Sequence, residues 1–181
     1  MTASERWSLK HDREQQFEIG WEMQQMLQEM YQRRIDTVLE IGTFQGDSLR
    51  VWREELDPEL MIGVQDTDET TPETAMELGV RMVQGKSQDA AVYAEVLGVL
   101  DGRRLDLLYI DGDHLYDAVK EDWQLYSPLV REGGIIVLHD AVIEDNPTVE
   151  VFRFYREVRV GRHTKLVYGG HGSTGTAMVF P

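Results

Sequence analysis

Apolar and polar positions along this chain follow two periods that take turns. Over residues 13–33, Phe17, Trp21, Met23, Met26, Leu27 and Met30 recur at near-helical spacing, which predicts an amphipathic helix with a Met-and-aromatic packing face. Short apolar, β-branched runs follow at 36–41 (DTVLEI), 60–65 (LMIGVQ), 80–84 (VRMVQ), 105–110 (LDLLYI) and 133–140 (GGIIVLHD), each of strand length. Between and after them, helical patterns occupy 47–56, 71–78, 88–100, 115–130 and 148–158. Asp47 is expected to cap the first of these, Thr71 stands before Pro72 at the first turn of the second, and Asp113 is expected to cap the helix over 115–130. Two more strands, 164–169 and 175–181, close the chain around a Gly-rich turn.

Strands separated by helices of this length require right-handed crossovers and a parallel sheet covered on both faces. The last two strands have only a short loop between them and should pair antiparallel. The expected fold class is therefore α/β, a doubly wound, mostly parallel seven-stranded sheet with an antiparallel last strand. No repeat, low-complexity segment or linker divides the chain, so residues 1–181 are expected to form a single domain with a polar tail over 1–12. In such sheets ligands bind beyond the carboxyl ends of the strands, where the strand order reverses. The chain's candidate functional residues lie just past its strands.

Charge narrows the function. The net charge of −15 comes without any large Lys/Arg cluster, which argues against nucleic acid, whose phosphates demand a basic face. No apolar run nears the roughly 20 residues that span a bilayer, and the first residues lack the apolar core of a signal peptide, so no membrane partner is expected. The absence of cysteine removes disulfides, thiolate metal sites and thiol nucleophiles, and makes the cytoplasm the expected location.

Three strand ends carry the chemistry. The first, VLEIGTFQGDS (38–48), has the spacing Gly42-x-x-x-Gly46 with Glu40 just before it. Glycines there let the backbone pass close to a ligand, and the next helix offers free N–H groups. The G-x-G-x-x-G of a dinucleotide site is missing, and an acid at Glu40 suits a ligand bearing an ammonium group. The second is QGKSQD (84–89), and the third is LYIDGDHLYDAVKEDW (108–123), with Asp140 following in GGIIVLHDA.

In this order these segments resemble class I S-adenosylmethionine-dependent methyltransferases, in particular the small catechol-type O-methyltransferases and the related sugar and antibiotic methyltransferases. The resemblance covers about residues 36–142. It implies that Glu40, Gly42, Thr43, Phe44, Gly46 and Ser48 hold the methionine part of S-adenosylmethionine. The acid that normally grips the ribose hydroxyls is replaced by Gln65, with Asp66 one position later. Ser87 and Gln88 match the adenine-contacting pair. Asp111, which also borders the cofactor, and Asp140 match two ligands of Mg²⁺ or a similar divalent cation; a third ligand commonly follows the second, where this chain has Ala141. His114 stands where those enzymes carry a catalytic lysine.

The implied chemistry is coherent. The enzyme must align an acceptor hydroxyl with the donor methyl group and deprotonate it. Carboxylates holding a hard cation lower the hydroxyl's pKa, and a histidine titrating near neutrality is a suitable base, which makes Asp111 and His114 the catalytic candidates. The expected function is O-methylation of a small hydroxylated molecule such as a sugar, catechol or natural product. Two alternatives stand beside it: a metal-independent enzyme with His114 as sole base, and a non-catalytic module that binds the cofactor or a partner. His139 is expected as a satisfied strand-end histidine, with a replacement ligand or a supporting group as the other readings. His171 is expected as a turn residue, with a place bordering the acceptor as the other reading, and Glu144, Asp145 and Asn146 are expected either to complete a metal shell or to solvate a loop. With about 35 residues before the first strand, the lid should be small, leaving the site open or completed by a second subunit of a homo-oligomer.

Overall fold

The computed structural model describes residues 15–143, 146–169 and 174–181, with side chains from residue 20 onward. The tail over 1–12, the start of the first helix, Glu144, Asp145 and His171 lie outside the described residues. Helix α1 (Gln15–Met30) leads to β1 (Thr37–Ile41), α2 (Asp47–Glu55), β2 (Leu60–Gln65), α3 (Pro72–Leu78), β3 (Val80–Gln84), α4 (Ala90–Leu100), β4 (Leu105–Ile110), α5 (Tyr116–Tyr126), β5 (Val130–Leu138), α6 (Val151–Val158), β6 (His163–Val167) and β7 (Thr176–Phe180).

The strands form one seven-stranded sheet in the order β3-β2-β1-β4-β5-β7-β6. The first five are parallel, and β7 lies between β5 and β6, antiparallel to both. Strand β1 pairs with β2 on one side and β4 on the other, so the order reverses between β1 and β4. Alternate residues of the central strands feed two cores. Leu39, Ile62, Leu108 and Ile136 pack with Val96, Val119 and Phe154 on one face; Val38, Met61, Leu107 and Ile135 pack with Met26, Leu27, Leu49 and Trp52 on the other. Burial on both faces is why these strands read as continuous apolar runs.

Several boundaries differ from the sequence expectation. Helix α2 starts after Gly46 in the left-handed conformation (φ 84°), so Gly46 and not Asp47 is its N-cap. Thr71 caps α3 as expected, its hydroxyl accepting from the Thr74 N–H at 3.2 Å. Asp113 accepts from the Leu115 N–H at 2.9 Å, but Leu115 is the N-cap of α5, so Asp113 shapes the turn before the helix. Helix α5 ends at Tyr126, and Pro128, which has no N–H to continue it, falls in a 3₁₀ turn, Ser127–Leu129. Strand β5 begins at Val130, where Val130 pairs with Leu105 before a register shift. The shift needs Gly134, since a Cβ there would stand 2.6 Å from Val130 Cγ1 and 3.0 Å from the Asp106 carbonyl oxygen. Helix α6 begins at Val151 rather than 148, because Asn146 and Val149 form a small antiparallel bridge.

Candidate active site

The reversal between β1 and β4 brings the two strand tips into contact. Gly42 (φ 82°) is fixed by that contact: a Cβ on it would lie 2.1 Å from the Asp111 carbonyl oxygen. The glycine is thus required by the neighbouring strand, and it places Asp111 directly beside the β1 turn. Beyond the tips lies a cleft of about 680 Å³ lined by Gly42, Phe44, Gln65, Asp66, Ser87, Gln88, Asp111 and His114, among others. The cleft brings those expected residues together. Glu40, Thr43, Gly46, Ser48 and Asp140 are not among its lining. A second cleft, of about 600 Å³, runs along the start of α6 past Glu150 and Arg153 and holds, of the residues singled out in the sequence, only Asn146.

Under the β1 turn, Glu40 is completely buried. Ser48 Oγ donates to its Oε1, and Trp52 Nε1 donates to Oε2 at 2.6 Å. Burial pushes its carboxyl up to about 8 despite these donors, and the charge of Asp111 adds to the rise. Thr43 is also buried; its hydroxyl donates to Gln65 Oε1 at 2.6 Å and meets the Thr70 hydroxyl at 2.7 Å. Gln65 Nε2 donates to Thr67 Oγ1 at 2.7 Å and to Glu69 Oε2 at 3.0 Å. The Gln65 amide is therefore occupied by its own chain. Asp66 and Glu69 are exposed acids on the same wall of the cleft.

At the third strand, Ser87 is buried and Gln88 half-buried. Both are tied to α5: the Tyr126 hydroxyl donates to the Ser87 carbonyl at 2.7 Å, and Gln88 Nε2 donates to Asp122 Oδ1 at 2.8 Å. Asp122 is wholly buried, and burial raises its carboxyl to about 7.

At the tips of β4 and β5, two acids and two histidines form a cluster. His114 Nδ1 lies 2.7 Å from Asp140 Oδ2, and its Nε2 lies 3.3 Å from Asp111 Oδ1. His139 Nδ1 lies 3.0 Å from both Asp111 Oδ1 and Asp140 Oδ1. The angles at this second junction are poor, however. His139 Nδ1 and Asp140 Oδ1 are buried without a hydrogen-bond partner. Asp140 also holds a left-handed backbone (φ 58°), uncommon for a residue other than glycine, and that turn aims its carboxylate back at His114.

Burial pushes the carboxyls of both Asp111 and Asp140 up, but the histidines outweigh it, and both end below the usual range. His114 is raised to about 9, first by its contact with Asp111 and then by Asp140. His139 is raised as well, its two carboxylates overcoming burial. Among the described residues, no three His, Asp or Glu side chains are arranged as a metal-ion site.

Sequence reasoning passed over Glu69 and Asp122. Asp122 had a readable signal, since it lies on the same α5 stripe as Val119 and Tyr126, the helix's buried residues. Glu69 had none, because only the fold of the β2–α3 loop turns it toward Gln65.

The comparisons agree with this geometry. The family model of a methyltransferase domain matches residues 39–141. Uncharacterized protein R132 of Acanthamoeba polyphaga mimivirus is 28% identical over 68% of this chain and 60% of its own. MycE, a methyltransferase from the mycinamycin biosynthetic pathway solved with Mg and SAH, superposes with a TM-score of 0.64 at 20% identity, over 87% of this chain and 48% of MycE. The O-methyltransferase TomG from Streptomyces achromogenes, solved with SAM, gives 0.63 at 19% identity, over 88% and 78%. The chain thus spans less than two thirds of the mimivirus protein and about half of MycE. On the matched core, running from β1 through the Asp140 turn, the chain belongs to the methyltransferase-domain family.

Proposed function

We propose that this protein is an S-adenosylmethionine-dependent O-methyltransferase acting on a hydroxyl of a small molecule. One observation carries the reading: a single cleft at the sheet's reversal point has Ser87 and Gln88 at one end and Asp111 and His114 at the other. The residues matching the family's adenine pair and the catalytic candidates Asp111 and His114 therefore line one space. Bound there, S-adenosylmethionine supplies a methyl group made electrophilic by the adjacent sulfonium.

The chain's own residues do the rest. Ser87 and Gln88 set the purine end, and the turn over Gly42–Phe44 borders the middle of the cleft. His114 stands beside the acceptor position with Nδ1 held to Asp140 at 2.7 Å. Its pKa is raised to about 9, so only its neutral form, which grows as pH rises toward 9, can take the hydroxyl proton. It does so at the looser Nε2 while the oxygen bonds to the methyl carbon and the carbon–sulfur bond breaks. Asp111 and Asp140 hold the imidazole in place and stabilise the imidazolium that results. Asp66, rather than the occupied Gln65, is the exposed acid available to ribose hydroxyls.

A divalent cation would be held here by Asp111 and Asp140 with His139 beside them, although the three side chains are not arranged as a metal-ion site among the described residues. The unpartnered Asp140 Oδ1 and His139 Nδ1 converge with Asp111 Oδ1 across contacts of 3.0 Å. Neighbouring ligands of an octahedral site with bonds of 2.0–2.1 Å stand about 3 Å apart. An imidazole beside two carboxylates widens the choice toward Mn²⁺ or Zn²⁺. The cation would lower the pKa of an acceptor hydroxyl. A second reading, turnover without metal, is favoured by the two carboxylate contacts that His114 already makes. Turnover of a polyhydroxylated acceptor with and without EDTA separates the two: loss on chelation and rescue by a divalent ion supports the assisted reaction, and unchanged turnover assigns the chemistry to His114 alone.

A further inference from the structure

Gln88 lines the cleft with an amide whose two ends are chemically opposite, a donor at Nε2 and an acceptor at Oε1. Which end a ligand meets depends on what holds the other. The Asp122 carboxylate lies 2.8 Å from one end, and an ionised carboxylate can only accept. The amide must therefore turn Nε2 inward and leave Oε1 for the cleft.

The clamp is built into α5. Val119, Asp122 and Tyr126 form one buried stripe of that helix, and all three are almost inaccessible. Tyr126 holds the Ser87 carbonyl at 2.7 Å while Asp122 holds the Gln88 side chain, so a single helix face fixes both members of the pair. The Tyr93 ring packs edge-on against Tyr126 with centroids 5.5 Å apart and keeps it in place. Asp122 Oδ2 has no hydrogen-bond partner and points toward Gly112, 3.9 Å from where a Cβ there would stand. A buried carboxylate kept with one oxygen unsatisfied costs stability, and helix packing gives no reason for it. Orienting Gln88 does.

We infer that Asp122 is a positioning residue which locks the Gln88 amide with its carbonyl toward the cleft, making the site select a ligand whose purine edge presents an amino group over one that presents a carbonyl. Resting on the proposed use of S-adenosylmethionine, this makes adenine selection a property of α5 and not of Gln88 alone. A hypoxanthine in place of adenine would set its carbonyl oxygen against Gln88 Oε1, two acceptors with no proton between them.

The test is calorimetric titration of the full chain with S-adenosylhomocysteine and with its deaminated analogue S-inosylhomocysteine. It is run at pH 8.5, above the value of about 7 to which burial raises Asp122, so that the carboxylate is ionised. The wild-type protein is expected to prefer the adenine compound by on the order of 30-fold. In Asp122→Asn, an isosteric change that lets the Gln88 amide turn over, the preference should fall to within about 3-fold, chiefly through tighter binding of the inosine compound. Gln88→Leu, which leaves α5 intact, should collapse the preference in the same way. A merely structural Asp122 would weaken both ligands together and keep the ratio, and that result overturns the clamp. Equal affinity of the wild type for the two compounds overturns it as well, while leaving the methyl-donor reading in place. Binding of neither compound overturns the methyl-donor reading itself, and the clamp with it.

Discussion

The two halves of the cleft handle buried acid in opposite ways. On the β1–β3 side, Glu40 and Asp122 are buried among neutral donors, namely Ser48 and Trp52 for one and Ser87 and Gln88 for the other, and both carboxyls are pushed up. On the β4–β5 side, Asp111 and Asp140 are drawn down although burial works against them, because His114 and His139 stand between them. A neutral donor offsets part of the desolvation of a carboxylate; a cation reverses it. The first half is a scaffold of neutral donors that shapes a binding wall. The second stores charge and leaves Asp140 Oδ1 and His139 Nδ1 unpartnered.

That contrast predicts where substitution is felt as chemistry and where as stability. Asp111→Asn should have the largest effect, lowering kcat/KM by at least about a thousandfold with little change in Tm, since the residue faces the cleft and its backbone contact with Gly42 remains. Near wild-type turnover would remove Asp111 from the mechanism. His114→Gln should cost on the order of a hundredfold or more in kcat with a small change in affinity for S-adenosylhomocysteine, because a general base contributes to the chemical step; an equal loss in affinity would make it a binding residue instead.

On the scaffold side the readout is stability. Glu40 has a folded pKa of about 8 against an ordinary 4.5, so the folded state binds the extra proton between those values. Its contribution is fully favourable below 4.5 and is lost as pH rises toward 8, by on the order of a few kcal/mol. Glu40→Gln keeps an acceptor for Trp52 and turns its amide toward Ser48, so urea titrations from pH 4.5 to 8.5 should show the variant gaining on the wild type as pH rises. A constant difference across that range would contradict the buried-acid description. The smallest effect is expected for Thr43→Val, which removes the hydroxyl that fixes Gln65: about 1–2 kcal/mol of stability and a few-fold change in cofactor affinity.

The sheet was legible in the sequence because its central strands are buried on both faces and therefore stand out as apolar runs. The start of β5 was not. Val130 joins the sheet before the Gly133–Gly134 irregularity, and the pairing depends on Asp106, which receives the Thr37 N–H at 2.8 Å and contacts the Arg131 guanidinium. Those partners are distant along the chain and leave no local period. The resemblance brought Asp111, Asp140 and His114 together, and the structure places all three in one cluster. It could not show that His139 would span both acids, which follows from the left-handed turn at Asp140. Nor could it show that Gln65 is held by Thr43, Thr67 and Glu69, because that network closes only when the β1 and β2 tips lie side by side.

The measurement that bears most directly on the central claim is an isothermal titration of the purified protein with S-adenosylmethionine, with and without Mg²⁺. Micromolar, saturable binding that Ser87→Trp abolishes by filling the cleft is the predicted result. No detectable binding in either condition, from a protein that unfolds cooperatively, would contradict it and leave the methyltransferase fold serving another purpose.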